Sequence, residues 1–411
     1  MIALPNLPPA FYEQHAALRV ILRAARHRQV PPDIVLGAVL GRLAAMTDPR
    51  TTVNRSPLNY IVAYIGESGT GKTTGVRVAA DLLPNIGTEL DGLELGSGEG
   101  LVASYLRDPR GDETEPVQQH SSGLFHVDEG QRLHKLAGRQ GSTILETLRT
   151  AWSGGTIGTA NANKGTRRRL SAGTYRMSVG IGFQPTYALE LLADDAAGTP
   201  QRFVFVYARD PHVPDGSPPA WPGCLDVHPT PPGDVEVDVA IRNIIYDHRI
   251  RRLRTGHTDD PLNSHHLELH LRTASLFGVL FHRAGKVDAE TWHIAAEFLD
   301  NSRNIVHTLL ENAQLERQRQ QRQADEQKAE SRVNVDAFTE RHRQERIAAL
   351  IGRHVHKGTH QPGQLRNKIH RRDRDHYDTG LLVALERGYI VRSQDDRGRD
   401  LFVPGPVQPP T

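Results

Sequence analysis

A glycine-rich stretch between an apolar run and a helical run carries the clearest chemistry of this sequence. It reads GESGTGKTT and matches the spacing G-x-x-x-x-G-K-[ST] through Gly66, Gly71, Lys72 and Thr73. Glycines let backbone N–H groups curl around phosphates, while the Lys72 ammonium reaches the outer phosphates and the Thr73 hydroxyl is a ligand for Mg²⁺. The stretch therefore predicts a site for ATP with Mg²⁺. The predicted nucleotide-binding residues are Gly66, Glu67, Ser68, Gly69, Thr70, Gly71, Lys72, Thr73 and Thr74.

A magnesium–triphosphate site also needs a carboxylate at the end of a neighbouring strand. Asp128 directly follows the apolar run 124–127 and is predicted to hold Mg²⁺ together with Thr73. Hydrolysis needs in addition a base that orients the attacking water, and two glutamates compete for this role. One is Glu129, directly after Asp128, and the other is Glu99 in the run GSGEG. The residues alone leave both open.

Two later strand ends complete the predicted catalytic set. Gln184 follows the apolar run 178–183, and Arg202 precedes the apolar run 203–207. A planar guanidinium stabilises the charge that develops on a transferring phosphate, so Arg202 is predicted to serve the nucleotide of a neighbouring subunit, with Arg209 as a second candidate. The predicted catalytic residues are Lys72, Glu99, Glu129, Gln184 and Arg202.

Two basic segments indicate binding to a phosphodiester backbone. The first is a small polar hairpin within 156–170, and the second is the C-terminal segment 335–405, whose three predicted helices and final strand pair resemble a winged-helix domain. Winged helices also dock proteins, so that use stays open. The predicted DNA-binding residues are Lys164, Arg167, Arg168, Arg169, Arg366, Lys368, Arg371, Arg372, Arg397 and Arg399, with Arg374 beside them.

Apolar periodicity predicts the elements that position these groups. Strands are predicted at Tyr60–Ile65, Gly123–Val127, Arg176–Phe183 and Phe203–Tyr207, with a helix over Thr73–Leu83 after the glycine-rich loop. Strands alternating with helices predict an α/β fold with a parallel sheet covered on both faces. The predicted segments are a helical lead-in (1–52), the ATPase core (53–210), a Pro-rich excursion and linker (211–262), a helical segment (263–332) and the winged-helix domain (335–405).

One helix of the fourth segment is ambiguous from sequence. Apolar residues support a long helix from Ala289, but the second half, up to Arg332, has almost no apolar stripe. That half is predicted to be a solvated helical spacer or a disordered segment.

Composition narrows the class of protein. At 411 residues the chain is expected to form two or three domains. It has no apolar run near the roughly 18 residues that would span a bilayer, no pattern of an export signal, and a single cysteine, Cys224, so no internal disulfide is expected. We therefore expect a cytoplasmic protein without a membrane partner. His266 and His270 have helical i, i+4 spacing, but no third metal ligand is evident beside them.

The order of these motifs resembles the helicase-like P-loop ATPases found in replication proteins of phages, prophages and other mobile elements. The resemblance covers about residues 30–310. It is carried by the motifs SPLNYIVAYIGESGTGKTTG (56–75), GSGEGL (96–101), HVDEG (126–130), FQP (183–185) and GTPQRFVF (198–205). The fold it implies is a RecA-like P-loop core, here with N-terminal helices, a helical segment and the C-terminal winged helix.

The resemblance also implies a function. Proteins of this kind work as hexameric rings that translocate along single-stranded DNA, similar to DnaB-type helicases. It implies that Lys72, Thr73 and Asp128 hold nucleotide and metal, that Glu99 ends the second strand as the catalytic base, that Gln184 senses the γ-phosphate, and that Arg202 acts across subunits.

The partners implied are single-stranded DNA, duplex DNA at the winged helix and further copies of the chain. Because no primase or zinc module is visible, a separate primase or replication protein is expected. Two rival hypotheses remain, a nucleotide-switched DNA-binding loader or regulator that unwinds nothing and a replication scaffold.

Overall fold

The computed structural model describes residues 2–137, 142–159, 167–194, 198–228, 230–256, 265–358 and 360–410. Its chain divides into two compact units, Met1–Leu315 and Glu316–Thr411. The helices are α1 (Pro9–Glu13), α2 (Ala16–His27), α3 (Pro32–Met46), α4 (Lys72–Leu82), α5 (Gly98–Ser104), α6 (Gly130–Ala137), α7 (Ile144–Trp152), α8 (Pro185–Leu192), α9 (Val239–Thr255), α10 (His266–Leu280), α11 (Ala289–Val355), α12 (Pro362–Lys368) and α13 (Tyr377–Glu386).

The described strands belong to one main sheet and several smaller ones. They are β1 (Thr51–Val53), β2 (Ser56–Pro57), β3 (Tyr60–Ile65), β4 (Asp91–Glu94), β5 (Leu106–Arg107), β6 (Val117–Gln118), β7 (Ser122–Val127), β8 (Ile157–Thr159), β9 (Arg168–Leu170), β10 (Arg176–Phe183), β11 (Phe203–Tyr207), β12 (Gly233–Val237), β13 (Lys286–Val287), β14 (Ile390–Gln394) and β15 (Asp400–Pro404). Short 3-10 helices cover Pro200–Arg202 and Arg371–His376.

The large unit is built on a five-stranded parallel sheet in the order β11-β3-β10-β7-β4. The prediction of a parallel α/β core is confirmed, and β3, β10 and β11 have the predicted bounds. In this order β10 lies between β3, which leads into the glycine-rich loop, and β7, which leads into Asp128. Because the carboxyl ends of parallel strands meet at one edge, the loop, Gln184 and Asp128 are brought to the same edge.

Apolar periodicity in the sequence does not predict strand β4. Its four residues are all exposed, and its pairing with β7 shifts register between Asp91 and Leu93. A strand without buried side chains has no apolar alternation, so periodicity does not reveal it.

One hydrophobic core runs through the first four predicted segments. It contains residues of the N-terminal helices, the sheet, α9, α10 and the first part of α11. Helix α3 is buried from Pro32 to Ala45 and packs closely on the sheet. A Cβ on Gly37 would lie 3.1 Å from the side chain of Val62 and 3.2 Å from that of Val206. The Pro-rich segment also packs on this unit, since the N–H of Leu225 donates to the carbonyl of Leu82 at 2.9 Å.

Two buried arginines tie loops to the amino edge of the sheet. Arg176 donates to the carbonyls of Asp48 and Thr51, each at 2.7 Å, and Arg272 donates to the carbonyl of Trp152 at 2.7 Å and to Glu268 at 2.8 Å. Burial lowers the pKa of Arg176 to about 9 and that of Arg272 to about 10. Both groups therefore remain cations at neutral pH.

The small unit has its own core. The end of α11, α12, α13 and the antiparallel pair β14–β15 surround Ile347, Ile351, Leu365, Ile369 and Phe402. Three helices followed by a strand pair agree with the predicted order of elements.

Helix α11 contains the stretch that the sequence left ambiguous. The long helix expected from Ala289 to Arg332 and the first helix expected in the segment 335–405 are one continuous helix, Ala289–Val355. Residues 314–339 within it are all exposed. None of the described helices combines the length and apolar character that crossing a bilayer requires.

The first turn of α3 holds the N-terminal segment through a buried carboxyl. Asp33 accepts hydrogen bonds from the Tyr12 hydroxyl at 2.6 Å, the Leu7 N–H at 3.0 Å and the Asn6 amide at 3.3 Å. Burial nevertheless raises the pKa of Asp33 from 3.8 to about 6.

This shift predicts how Asp33 affects stability with pH. Because the folded state holds the proton more tightly than the unfolded chain, the contribution of Asp33 to stability falls as pH rises from about 4 to about 6. The difference in unfolding free energy, wild type minus Asp33→Asn, should fall by ~3 kcal/mol across that range. Denaturant titrations at several pH values measure it, and a difference that does not change with pH would contradict the assignment.

Candidate functional site

The glycine-rich loop joins the buried strand β3 to helix α4. Gly66 donates its N–H to the carbonyl of Phe183 at 2.9 Å, and a Cβ at this position would lie 2.5 Å from Ala208. Gly69 and Gly71 have φ of 79° and 85°, the left-handed region in which side chains are strained. Backbone N–H groups at the start of α4 are left without intrahelical acceptors, as a phosphate site requires.

The ammonium group of Lys72 lies against this loop. Its Nζ donates to the carbonyls of Gly66 at 2.5 Å and Glu67 at 2.7 Å. Partial burial lowers the pKa of Lys72. Two backbone acceptors thus hold the Lys72 ammonium beside the start of α4.

Asp128 joins the glycine-rich loop to the end of β7. The Thr73 hydroxyl donates to Asp128 Oδ1 at 3.3 Å, and His126 Nε2 lies 2.9 Å from the same oxygen. A hydroxyl and a carboxylate at this distance are oxygen ligands of the kind that Mg²⁺ prefers. Sequence reasoning missed His126, although residues i and i+2 of a strand share a face and this spacing could have indicated it.

One cavity of ≈ 470 Å³ collects most of the predicted nucleotide site. It is lined by Ser68, Gly69, Thr70, Gly71, Lys72, Thr73, Thr74, Asp128, Glu129, Gly130, Gln131, Gly182, Gln184 and Tyr187. The structure therefore brings together the loop, Asp128, Glu129 and Gln184. Gln131 and Tyr187, which the sequence did not single out, hydrogen-bond to each other at 2.9 Å on its wall.

Two glycines let the ends of β7 and β10 approach each other. A Cβ on Gly182 would lie 2.5 Å from the backbone oxygen of Asp128, and a Cβ on Gly130 would lie 2.0 Å from the ring of Phe183. These are closer than non-bonded atoms can be. The position of Asp128 beside Thr73 therefore depends on glycine at 182.

Glu99 lies in a different cavity. In chain order, β4 is the second strand of the main sheet, and it ends at Glu94. Glu99 lies beyond it, in the first turn of α5. The expectation that Glu99 ends a strand is therefore wrong. Glu99 accepts a hydrogen bond from the Thr143 hydroxyl at 2.8 Å, and this bond lowers the pKa of Glu99. Its cavity, of ≈ 380 Å³, is also lined by Glu146, Thr147 and Arg168.

The two candidate finger arginines lie at opposite ends of β11. Arg202 precedes the strand, on the edge away from the loop, where it donates to the carbonyl of Gly198 and its guanidinium lies 5.5 Å from the ring of Trp152. Burial and, second, the charge of Arg149 lower the pKa of Arg202. Arg209 follows the strand and is exposed. The lining of the ≈ 470 Å³ cavity includes neither of them.

The first basic segment contains an antiparallel strand pair. Strands β8 and β9 pair through Ile157–Leu170 and Thr159–Arg168, and Lys164 lies outside the described residues. Arg168 contacts Asp108 at 2.6 Å and Arg167 contacts Glu115 at 3.2 Å, whereas Arg169 is exposed.

The predicted DNA-binding residues of the small unit lie on α12, on the following 3-10 helix and in the turn between β14 and β15. All six of these residues are exposed, namely Arg366, Lys368, Arg371, Arg372, Arg397 and Arg399. Arg399 also pairs with Asp395 at 2.8 Å.

Comparisons with known proteins give little beyond this geometry. No family model and no curated protein matches the sequence. Among solved structures the chain is similar to a full-length MCM homolog from Methanopyrus kandleri, with a TM-score of 0.40 and 16% identity. The match covers 73% of this chain and 63% of that chain. At this distance the likeness does not assign a role to any residue.

The close approach at Gly182 predicts a specific defect. Gly182→Ala should displace Asp128 from Thr73 and weaken the binding of a magnesium–nucleotide complex at least tenfold, while circular dichroism stays that of the wild type. Gly96→Ala is the matched control, because a Cβ at that position meets nothing within 4 Å. Equal affinity in the two variants, measured by calorimetry, would contradict this account of the site.

Proposed function

We propose that this chain hydrolyses ATP with Mg²⁺ and uses the reaction to translocate on single-stranded DNA as a helicase. The observation that supports it most is that one cavity is reached from three separate places in the chain. These are the start of α4 with Lys72 and Thr73, the turn after β7 with Asp128 and Glu129, and the end of β10 with Gln184. Each of these groups has a place in phosphoryl transfer, which depends on positioning and charge stabilisation.

The residues of the cavity fit a magnesium–triphosphate complex. The left-handed glycines, the start of α4 and the Lys72 ammonium present positive charge to phosphate oxygens. The oxygens of Thr73 and Asp128 would hold Mg²⁺, which when bound neutralises phosphate charge. His126, hydrogen-bonded to Asp128, keeps that carboxylate turned towards Thr73.

We assign the catalytic base to Glu129 rather than to Glu99. Glu129 lines the same cavity as Lys72 and Thr73, whereas Glu99 lines another one. A general base must come within hydrogen-bond reach of the proton it accepts. Gln184, at the end of β10, would contact the outermost phosphate.

The proposed action on DNA depends on the two basic segments. The strand pair β8–β9 presents the exposed Arg169, and the small unit, which we interpret as a winged helix, presents a set of exposed arginines together with Lys368. Exposed Arg and Lys on short hairpins and helices bind phosphodiester backbones through charge. A separate primase or replication protein would complete the replication machinery.

The place of Arg202 favours an oligomer. It lies at the edge of the sheet opposite the glycine-rich loop of its own chain, so a nucleotide that it contacts would belong to another copy. A closed ring, for which we propose six copies, supplies each loop with such an arginine.

Turnover measurements test the choice of base. Lys72→Ala should abolish ATP hydrolysis, and Glu129→Gln should keep ATP binding but lower kcat about 10²–10⁴-fold, the usual loss when a general base is removed. Glu99→Gln is the matched control and should change kcat only a few-fold. Single-stranded DNA should raise the rate of ATP hydrolysis by the wild type. A large loss of kcat in Glu99→Gln but not in Glu129→Gln would contradict the assignment. A rate of hydrolysis that DNA does not change would favour the rival hypothesis of a DNA-binding loader that unwinds nothing.

Mixing two inactive variants tests the shared site. Lys72→Ala chains bind no nucleotide but offer Arg202 to a neighbour, whereas Arg202→Ala chains bind nucleotide and lack the arginine. A mixture should therefore recover ATP hydrolysis that neither variant shows alone. Melting curves of the Arg202→Ala protein show whether the loss of its contact with Trp152 destabilises the fold. If folded Arg202→Ala protein hydrolyses ATP at the wild-type rate, the trans role is wrong.

A further inference from the structure

Helix α10 ends in a conformation that normally requires glycine. The N–H of Arg283 donates to the carbonyl of Gly278 at 2.7 Å, and the N–H of His282 donates to that of Val279 at 3.4 Å. These two bonds form a Schellman motif, in which the residue after the cap is left-handed and is usually glycine. Here it is His282, with φ of 60°. A histidine at such a position is strained, and strain of this kind often marks a functional site.

The imidazole of His282 belongs to a group of three possible metal ligands. One ligand atom each from Asp226, His228 and His282 lies within 4.8 Å of the other two. His228 Nε2 is 4.0 Å from Asp226 Oδ1, and the two imidazole ring centres are 6.1 Å apart. The first two ligands come from the Pro-rich segment and the third from the end of α10. These two parts of the chain are more than fifty positions apart in the sequence.

We propose that Asp226, His228 and His282 bind one divalent transition metal ion of the zinc class, with water in the remaining position. Two imidazoles and a carboxylate suit Zn²⁺, Co²⁺ or Ni²⁺, whereas Mg²⁺ and Ca²⁺ prefer oxygen ligands alone. Tetrahedral zinc with bonds of about 2.0–2.2 Å sets its ligand atoms ~3.4 Å apart. The three side chains therefore need to move by about 1 Å, which exposed groups such as His228 and Asp226 can do.

The neighbouring charges leave room for a cation at this point. The neighbouring Arg283 is neutralised by Asp288 and Glu290, each at 2.7 Å, so its charge does not oppose a metal ion. A bound ion would fasten the Pro-rich segment to the turn between α10 and β13. This site is separate from the ≈ 470 Å³ cavity and does not depend on ATP hydrolysis.

The test uses the full chain without a histidine tag, freed of metal by a chelator. Zn²⁺ followed by calorimetry and Co²⁺ followed by visible absorption should each show one equivalent bound, and Zn²⁺ should raise the melting temperature. Both effects should be lost in His228→Ala and in His282→Gly. The second variant is decisive because glycine suits the left-handed backbone, so His282→Gly should melt no lower than the metal-free wild type.

His212→Ala is the matched control, since His212 is an exposed histidine of the same segment outside the group. It should bind the metal as the wild type does. Absence of uptake by the wild type, or uptake that survives in both His228→Ala and His282→Gly, would overturn the proposal.

Discussion

The candidate site depends on the contact between Thr73 and Asp128 across the end of β10. Strand β10 lies between β3, which leads through the loop to Thr73, and β7, which leads to Asp128, so the two side chains meet across the end of β10. Gly182 leaves that space open, because any side chain there would collide with the backbone of Asp128. Because position 182 has no side chain, the glycine-rich loop, Asp128 and Gln184 can lie close together.

The parts of the fold that the sequence predicts are those encoded locally. Strand β3 is a continuous apolar run, and the loop after it has a glycine wherever the backbone turns left-handed or is crowded. The choice between Glu99 and Glu129 is not local, because it depends on how far α5 lies from the edge of the sheet. Strand β4 and the contact of His126 with Asp128 depend likewise on neighbours that are distant in sequence.

Long helix α11 shows a different limit of sequence reasoning. Its exposed middle, residues 314–339, has no buried face, so periodicity does not distinguish a solvated helix from a disordered segment. The charged side chains there support a helix only through weak pairs between neighbouring turns. The small unit that follows has a core of its own, which is why its order of elements could be predicted independently.

The two edges of the main sheet have different electrostatics. At the amino edge Arg176 and Arg272 are buried and bonded to backbone carbonyls, and Trp152 stacks against Arg272 at 3.5 Å while facing Arg202. At the carboxyl edge the polar groups face an open cavity. The charged groups of the first edge are thus buried and held by backbone carbonyls, whereas those of the second edge line a cavity.

Binding of ATP in the presence and absence of Mg²⁺ tests the central claim most directly. Calorimetry on the full chain should show one ATP bound per chain, more tightly with Mg²⁺ than with a chelator, and Asp128→Asn should remove most of that difference. No uptake of ATP with Mg²⁺ by the folded wild type, or the same dependence on Mg²⁺ in Asp128→Asn, would contradict the account.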